Sequence, residues 1–226
     1  MVNKTFGKIL GNPKNVFWEA LFLTVVIFVF GLLLGVAFEG SRLDRVNEYY
    51  AKSEISLMDV LALNSLIDLG DADCKELILA NIKFADRVYE EASLLEKYDG
   101  FGKITSNLKL AHQKYDLLRT FLWINSLKTI EKCEEDFSFI VYLYEYKSED
   151  LTRRATQDVW ANILFDLKKE KGDEIILIPI AVNSNLTSLN SLIEKFEISE
   201  FPTVIINNKY IVKELSSIED IKKYIN

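Results

Sequence analysis

The stretch from Phe201 to Glu214 reads FPTVIINNKYIVKE, and its apolar and turn-forming residues indicate the fold of the C-terminal part of the chain. Two short apolar runs flank Asn207 and Asn208, and asparagine pairs of this kind are typical of tight hairpin turns. Phe201-Pro202-Thr203 leads directly into the first run. The stretch therefore predicts a β-hairpin that is entered through Pro202.

The residues on either side of this hairpin alternate between apolar runs and helical patterns. FSFIVYLYEY at 137–146 predicts a buried strand, 148–171 predicts a long helix, and EIILIPIAV at 174–182 predicts a second, parallel strand. A further helix is expected over 186–196, and a closing helix over 216–225. The predicted order is β-α-β-α-β-β-α.

This order resembles the thioredoxin fold, and we assign an α/β thioredoxin-like domain to residues 136–226. The more specific resemblance is Phe201-Pro202-Thr203, which is similar to the cis-proline segment of that family. The resemblance implies a cis peptide bond before Pro202. It also implies a surface around Pro202 whose backbone groups pair with an extended peptide.

The start of the helix after the first strand departs from the thioredoxin pattern. Thioredoxins carry Cys-x-x-Cys there, where the helix dipole lowers the pKa of the thiol. This chain carries Ser148, Glu149, Asp150 and Leu151 at the equivalent position. We interpret Ser148 as the helix cap and the two acids as partners of the positive end of the dipole. The dithiol exchange of the family therefore has no equivalent at this degenerate site, and we expect no catalytic residue.

Residues 40–135 predict a helical stalk or hairpin. Apolar residues recur at helical spacing, and glycines divide the region into three helices that end near Leu69, Tyr98 and Cys133. We interpret the apolar stripes as the core of a bundle or coiled coil rather than as a ligand groove. His112 lies beside lysines on the third helix and is interpreted as a solvated surface residue.

The chain contains two cysteines, Cys74 and Cys133. They lie at similar distances from the turn near Gly102, on helices expected to form an antiparallel pair. We predict a disulfide between them, which the loop-entropy model credits with about 4 kcal/mol for a loop of this size. Two buried free cysteines and a redox-active pair are the alternatives.

Residues 20–38 read ALFLTVVIFVFGLLLGVAF without one charged side chain, which predicts a transmembrane helix at 16–39. A cleaved signal peptide is the alternative, because Gly35-Val36-Ala37 offers small residues at a suitable spacing. The apolar run is longer than such peptides usually have. Lysines without acids precede it, so the positive-inside rule predicts a cytoplasmic N-terminus at 1–15 and an extracytoplasmic C-terminal part.

Two shorter motifs carry weaker signals. Gly31 and Gly35 form GxxxG, which lets two helices approach closely in lipid and suggests a homodimer. A pair of glycines that merely faces lipid is the alternative. Asn185-Leu186-Thr187 is a glycosylation sequon, and Asn185 is a candidate acceptor if the domain lies outside the cell.

The composition excludes several classes of function. With 49% hydrophobic residues the chain is too apolar to be disordered. Its 34 acidic and 27 basic side chains give a net charge of -7, so a nucleic-acid partner is not expected. Two cysteines and one histidine are too few for a four-ligand zinc site without carboxylates, and we expect neither metal nor cofactor.

Three functions remain as hypotheses. The leading one is a membrane-anchored, extracytoplasmic, non-catalytic thioredoxin-like module that binds a protein or peptide partner around Pro202. The alternatives are a thiol-disulfide oxidoreductase or redox sensor that uses Cys74 and Cys133, and a structural subunit of a membrane complex. The combination of anchor, helical hairpin and degenerate domain resembles uncharacterised single-span proteins of small archaeal genomes, which implies a fold and not an activity.

Overall fold

The structure is a computed structural model, and it describes residues 13–69, 73–99, 106–133 and 137–225. Over these ranges the chain is mostly helical and contains a small mixed sheet. It divides into two compact units, Met1–Asn47 and Glu48–Asn226. The first helix, α1 (Pro13–Leu69), contributes residues to both units. Most of the predicted N-terminal segment and the turn near Gly102 lie outside the described residues.

The described part of the first unit is the N-terminal portion of α1. Phe17–Phe38 comprises 22 residues with a mean hydropathy of 2.9, and none of this segment is buried. It is long and apolar enough to cross a membrane, although a signal sequence near an N-terminus meets the same criteria. A Cβ atom at Gly31 or Gly35 would meet no atom within 4 Å. A homodimer through these glycines stays a prediction.

The second unit contains the remaining helices and the sheet. In chain order its elements are α2 (Cys74–Asp99), α3 (Ser106–Lys132), β1 (Ser138–Tyr144), α4 (Leu151–Lys171), β2 (Ile175–Ala181), α5 (Thr187–Lys195), β3 (Thr203–Ile206), β4 (Tyr210–Val212) and α6 (Ile218–Lys222), with a short 3₁₀ turn at Gly172–Glu174. The described strands form one sheet in the order β2-β1-β3-β4. β1 is parallel to β2 and antiparallel to β3, and β3 is antiparallel to β4. The predicted order of helices and strands is confirmed, with a closing helix shorter than expected.

Strand β1 lies inside the sheet and is buried along nearly its whole length. Successive side chains of a strand point to opposite faces, so alternate residues of β1 join different layers. Ile140 and Tyr142 belong to the cluster that also contains Trp160 and Leu164 of α4 and Ile221 of α6. This apolar cluster attaches α4 and α6 to one face of the sheet.

The predicted hairpin turn at Asn207 and Asn208 is confirmed. Both residues have a positive φ, 50° and 57°, and Lys209 N donates to Ile206 O at 3.0 Å. Asparagine tolerates this left-handed backbone better than most residues, which explains the sequence at the turn. The Asn207 amide also accepts from Phe139 N at 2.9 Å, so the turn is attached to the central strand.

Helices α2 and α3 form an antiparallel pair. Cys74 at the start of α2 and Cys133 after α3 form a disulfide with their Cα atoms 5.7 Å apart, which confirms the predicted pairing. Further along the pair, Asn81 donates to the Thr129 hydroxyl at 3.3 Å. The start of one helix therefore lies at the end of the other, as the spacing around the turn predicts.

The helical pair contacts the sheet region directly. Trp123 of α3 is fully buried and stacks on Phe196, with ring centroids 5.4 Å apart. Lys168 Nζ of α4 lies 3.3 Å from Asp86 Oδ1 of α2. The expected boundary between residues 135 and 136 lies outside the described residues, and contacts of this kind join the elements on its two sides in one compact unit.

We expect replacement of both Cys74 and Cys133 by serine to lower the free energy of unfolding by about 2–4 kcal/mol. The cysteines are 59 residues apart, so opening the loop gives the unfolded chain many more conformations. Thermal and urea unfolding of the full-length protein would measure the change, with fully reduced wild-type protein as the matched control. An unchanged unfolding midpoint in both samples would contradict this expectation.

Candidate functional site

The predicted degenerate site at 148–151 and the proline segment at 201–203 both adjoin one end of the sheet. β1 ends at Tyr144, and its residue Leu143 pairs with Thr203, the first residue of β3. Pro202 directly precedes Thr203 in the chain. The loop at 145–150 and the proline segment therefore lie at the same end of neighbouring strands.

Two amide side chains fix the loop after β1. Gln157 Oε1 accepts from Glu145 N at 2.9 Å, and Gln157 Nε2 donates to Glu145 O at 3.0 Å. Asn183 makes the same pair of hydrogen bonds with Tyr146, at 3.0 Å and 2.9 Å. An amide can donate and accept at once, which is why each of these side chains satisfies both backbone groups of one residue. The loop conformation is thus set by α4 and by the turn after β2.

The cap of α4 differs from the prediction. The helix begins at Leu151, and Asp150 is its N-cap, because its Oδ1 accepts from two backbone N–H groups of the first turn. Ser148 is buried and donates to Glu145 Oε2 at 3.0 Å, so it does not cap the helix. It lies two residues too early to reach the first turn. Glu145 also pairs with Arg153, and this hydrogen bond lowers the pKa of the Glu145 carboxyl.

The proline segment is tightly built. The Phe201–Pro202 peptide bond is cis. Pro202 and Thr203 are buried and Phe201 is half-buried, whereas Glu200 is exposed. The Thr203 hydroxyl donates to the carbonyl of Glu200. Phe201 and Glu200 are therefore the side chains through which this segment meets the solvent.

The environment of His112 also corrects the sequence interpretation. His112 is half-buried, and its Nε2 lies 3.1 Å from the Tyr146 hydroxyl with the two ring centroids 4.5 Å apart. Its neighbour Gln113 donates to Ser184 O at 2.9 Å. The face of α3 that periodicity assigns to solvent instead contacts the loops at the end of the sheet. Asn185 is exposed, as a glycosylation acceptor must be.

Helix α3 also places an acid and a base against β2, which sequence reasoning missed. Asp116 Oδ1 accepts from Ala181 N at 3.2 Å and lies 3.5 Å from Arg119 Nη1. Burial raises the pKa of Asp116 to about 6, although the Arg119 charge and the Ala181 N–H oppose the shift. The available signal was an acid and a base three residues apart beside the buried Tyr115 and Leu118.

A cleft of about 630 Å³ adjoins this pair. Its walls come from α2, α3, α4, β1, β2 and the loop at 145–147, and Arg119 lines it. In the described ranges, no group of three or more His, Cys, Asp or Glu side chains is placed to hold a metal ion.

We expect Asp116→Asn to alter how stability depends on pH. The folded-state pKa of Asp116 is raised from 3.8 to about 6, so folding favours the protonated carboxyl. The wild type should therefore lose stability relative to the asparagine variant as the pH rises from about 4 to 7. Urea unfolding at several pH values measures this difference, with Asp166→Asn on the exposed side of α4 as the control. A difference that is constant across this range would contradict the assignment.

No protein-family model, no curated protein and no solved structure matches this chain. What the site binds is therefore inferred from its own residues and contacts.

Proposed function

We propose that this protein is a membrane-anchored, extracytoplasmic, non-catalytic thioredoxin-like module that binds a protein or peptide partner at the end of the sheet that carries Pro202. The apolar segment Phe17–Phe38 has the length and composition of an anchor. The lysines that precede it without acids favour a cytoplasmic N-terminus and an external C-terminal unit.

The sheet supports the thioredoxin-like part of the proposal. Parallel strands β1 and β2 are connected through α4, and an antiparallel hairpin follows the cis bond before Pro202. The strand order β2-β1-β3-β4 places β1 between the parallel strand and the hairpin. These are the elements on which the resemblance to the thioredoxin family rests.

The contacts within the loop after β1 are the observation that supports the non-catalytic part of the proposal. Asp150 caps α4 and Ser148 binds Glu145, where a thioredoxin would present thiols. Neither a hydroxyl nor a carboxylate can exchange a disulfide. Both cysteines of the chain are bonded to each other between α2 and α3. This end of the sheet therefore offers a fixed surface without a thiol nucleophile.

A fixed surface favours binding, because little conformational entropy is lost when a partner docks. Gln157 and Asn183 hold the loop on one side, and the buried Pro202 and Thr203 hold the neighbouring segment. An extended peptide can pair with backbone groups beside such a segment. The half-buried Phe201 supplies an apolar contact for its side chains.

Peptides that bind the full-length protein can be selected from a random display library. We expect the affinity of these peptides for the Phe201→Ser variant to be on the order of ten-fold lower than for the wild type, because the variant lacks the apolar contact. Fluorescence polarisation in lipid nanodiscs measures the loss, and Lys209→Ser at the exposed hairpin is the matched control that should bind as the wild type does. Equal binding by both variants would place the peptide site elsewhere. A selection that yields no binding peptide would contradict the proposal.

One observation favours the oxidoreductase alternative. Cys74 is the first residue of α2 and is half-buried, whereas Cys133 is buried, so Cys74 is the more accessible of the two. If the disulfide with Cys133 were easily reduced, Cys74 would be the attacking thiol because Cys133 is more deeply buried.

We expect the purified protein to show no dithiol-dependent reduction of a protein disulfide such as that of insulin, since a stable structural disulfide is a poor catalyst. Turbidity of reduced insulin reports the reaction, with thioredoxin as positive control. Turnover that disappears in Cys133→Ser would overturn the non-catalytic proposal in favour of the alternative.

A further inference from the structure

The cleft beside Arg119 is separate from the proline segment. It is lined by residues of α2, α3, α4, β1, β2 and the loop at 145–147, and none of Phe201, Pro202 and Thr203 is among them. Its volume of about 630 Å³ lies within the range of small-molecule sites. The cleft is thus a second candidate binding surface, and its walls indicate what it can hold.

The lining of the cleft includes several aromatic and apolar side chains. Tyr142 and Tyr144 stack with ring centroids 5.4 Å apart, and Leu177 and Phe165 add apolar surface. The Tyr142 hydroxyl already donates to Gln157 O at 2.9 Å. The rings therefore favour a flat apolar group over a polar one.

The charge of Arg119 is incompletely compensated. The Arg119 side chain is 9% exposed. Its Nη1 lies 3.5 Å from Asp116 Oδ1, which is long for an ionic hydrogen bond. Asp116 also accepts from Ala181 N. The Arg119 Nε–H has no acceptor among the residues that the structure describes. A buried guanidinium in this state is costly, and an oxyanion in the cleft that Arg119 lines would offset its charge.

The other charged groups at the cleft do not replace such an anion. Glu145 is already paired with Arg153. Lys147 and Arg154 add two exposed cations to the lining, and Asp158 adds one acid. The cleft therefore carries more positive than negative side chains, on a chain whose net charge is -7.

We propose that this cleft binds a small carboxylate ligand with an aromatic or similarly flat apolar body. The planar guanidinium of Arg119 matches a planar carboxylate, and the stacked tyrosines receive the apolar body. A phosphate ester fits less well, because its greater charge would need further cations at the depth of Arg119, whereas Lys147 and Arg154 lie at the surface. The proposal does not depend on peptide binding at Pro202.

The test uses the full-length chain in lipid nanodiscs, with empty nanodiscs as the blank. Benzoate, 3-phenylpropionate, indole-3-acetate and 2-naphthoate are titrated, each beside its own primary amide, and binding is followed by ligand-detected NMR. We expect at least one carboxylate to bind with a Kd below about 1 mM and its amide to bind on the order of ten-fold more weakly.

Three variants locate the binding. Arg119→Gln should remove the preference for the carboxylate over the amide, and Ala161→Trp, at an exposed position of the lining, should weaken both by filling the cleft. Lys209→Gln should change neither. If Arg119→Gln unfolds, Ala161→Trp still tests the site. Equal affinity for acid and amide, no binding of any acid, or binding unaffected by Ala161→Trp would overturn the proposal.

Discussion

Strand β2 is an edge strand, and the rest of the second unit depends on how that edge is covered. An uncovered edge presents backbone groups that pair with other chains. Here α3 lies against β2, and the Asp116 carboxylate accepts the N–H of Ala181 at 3.2 Å. This contact brings the helical pair onto the sheet, and the cleft lies where α2, α3 and α4 meet β1 and β2.

Covering a strand edge requires polar groups inside a helical layer. The Asp116 carboxylate loses its hydrating water when it is buried. In exchange it accepts a hydrogen bond from the Ala181 N–H and lies beside the positive charge of Arg119. A second buried carboxyl, Glu91 of α2, accepts from Ser53 of α1, and burial raises its pKa. Desolvation of such groups opposes folding, so their presence is explained by the hydrogen bonds that they complete and not by the apolar core.

The sequence predicted those features that depend on neighbouring residues or on equal spacing. The order of strands and helices, the turn at Asn207 and the disulfide are of this kind. The contacts of Asp116 with Ala181 and of His112 with Tyr146 join residues 65 and 34 positions apart, and no local pattern encodes them. The error at the cap of α4 has a different cause. Serine and aspartate are both good caps, so the pattern cannot rank two candidates two residues apart.

The position of the disulfide explains how the chain carries two cysteines without placing a thiol at this end of the sheet. Cys74 and Cys133 hold the open ends of α2 and α3 together. The same two helices carry Tyr89 and Arg119, which line the cleft, and α3 carries the acid that pairs with the edge of β2. The disulfide that restricts the pair α2 and α3 therefore also stabilises the helical layer that covers the edge of β2. The cysteines thus stabilise the helices beside β2. The loop after β1 is held by carboxylate and amide side chains instead, and it contains no cysteine.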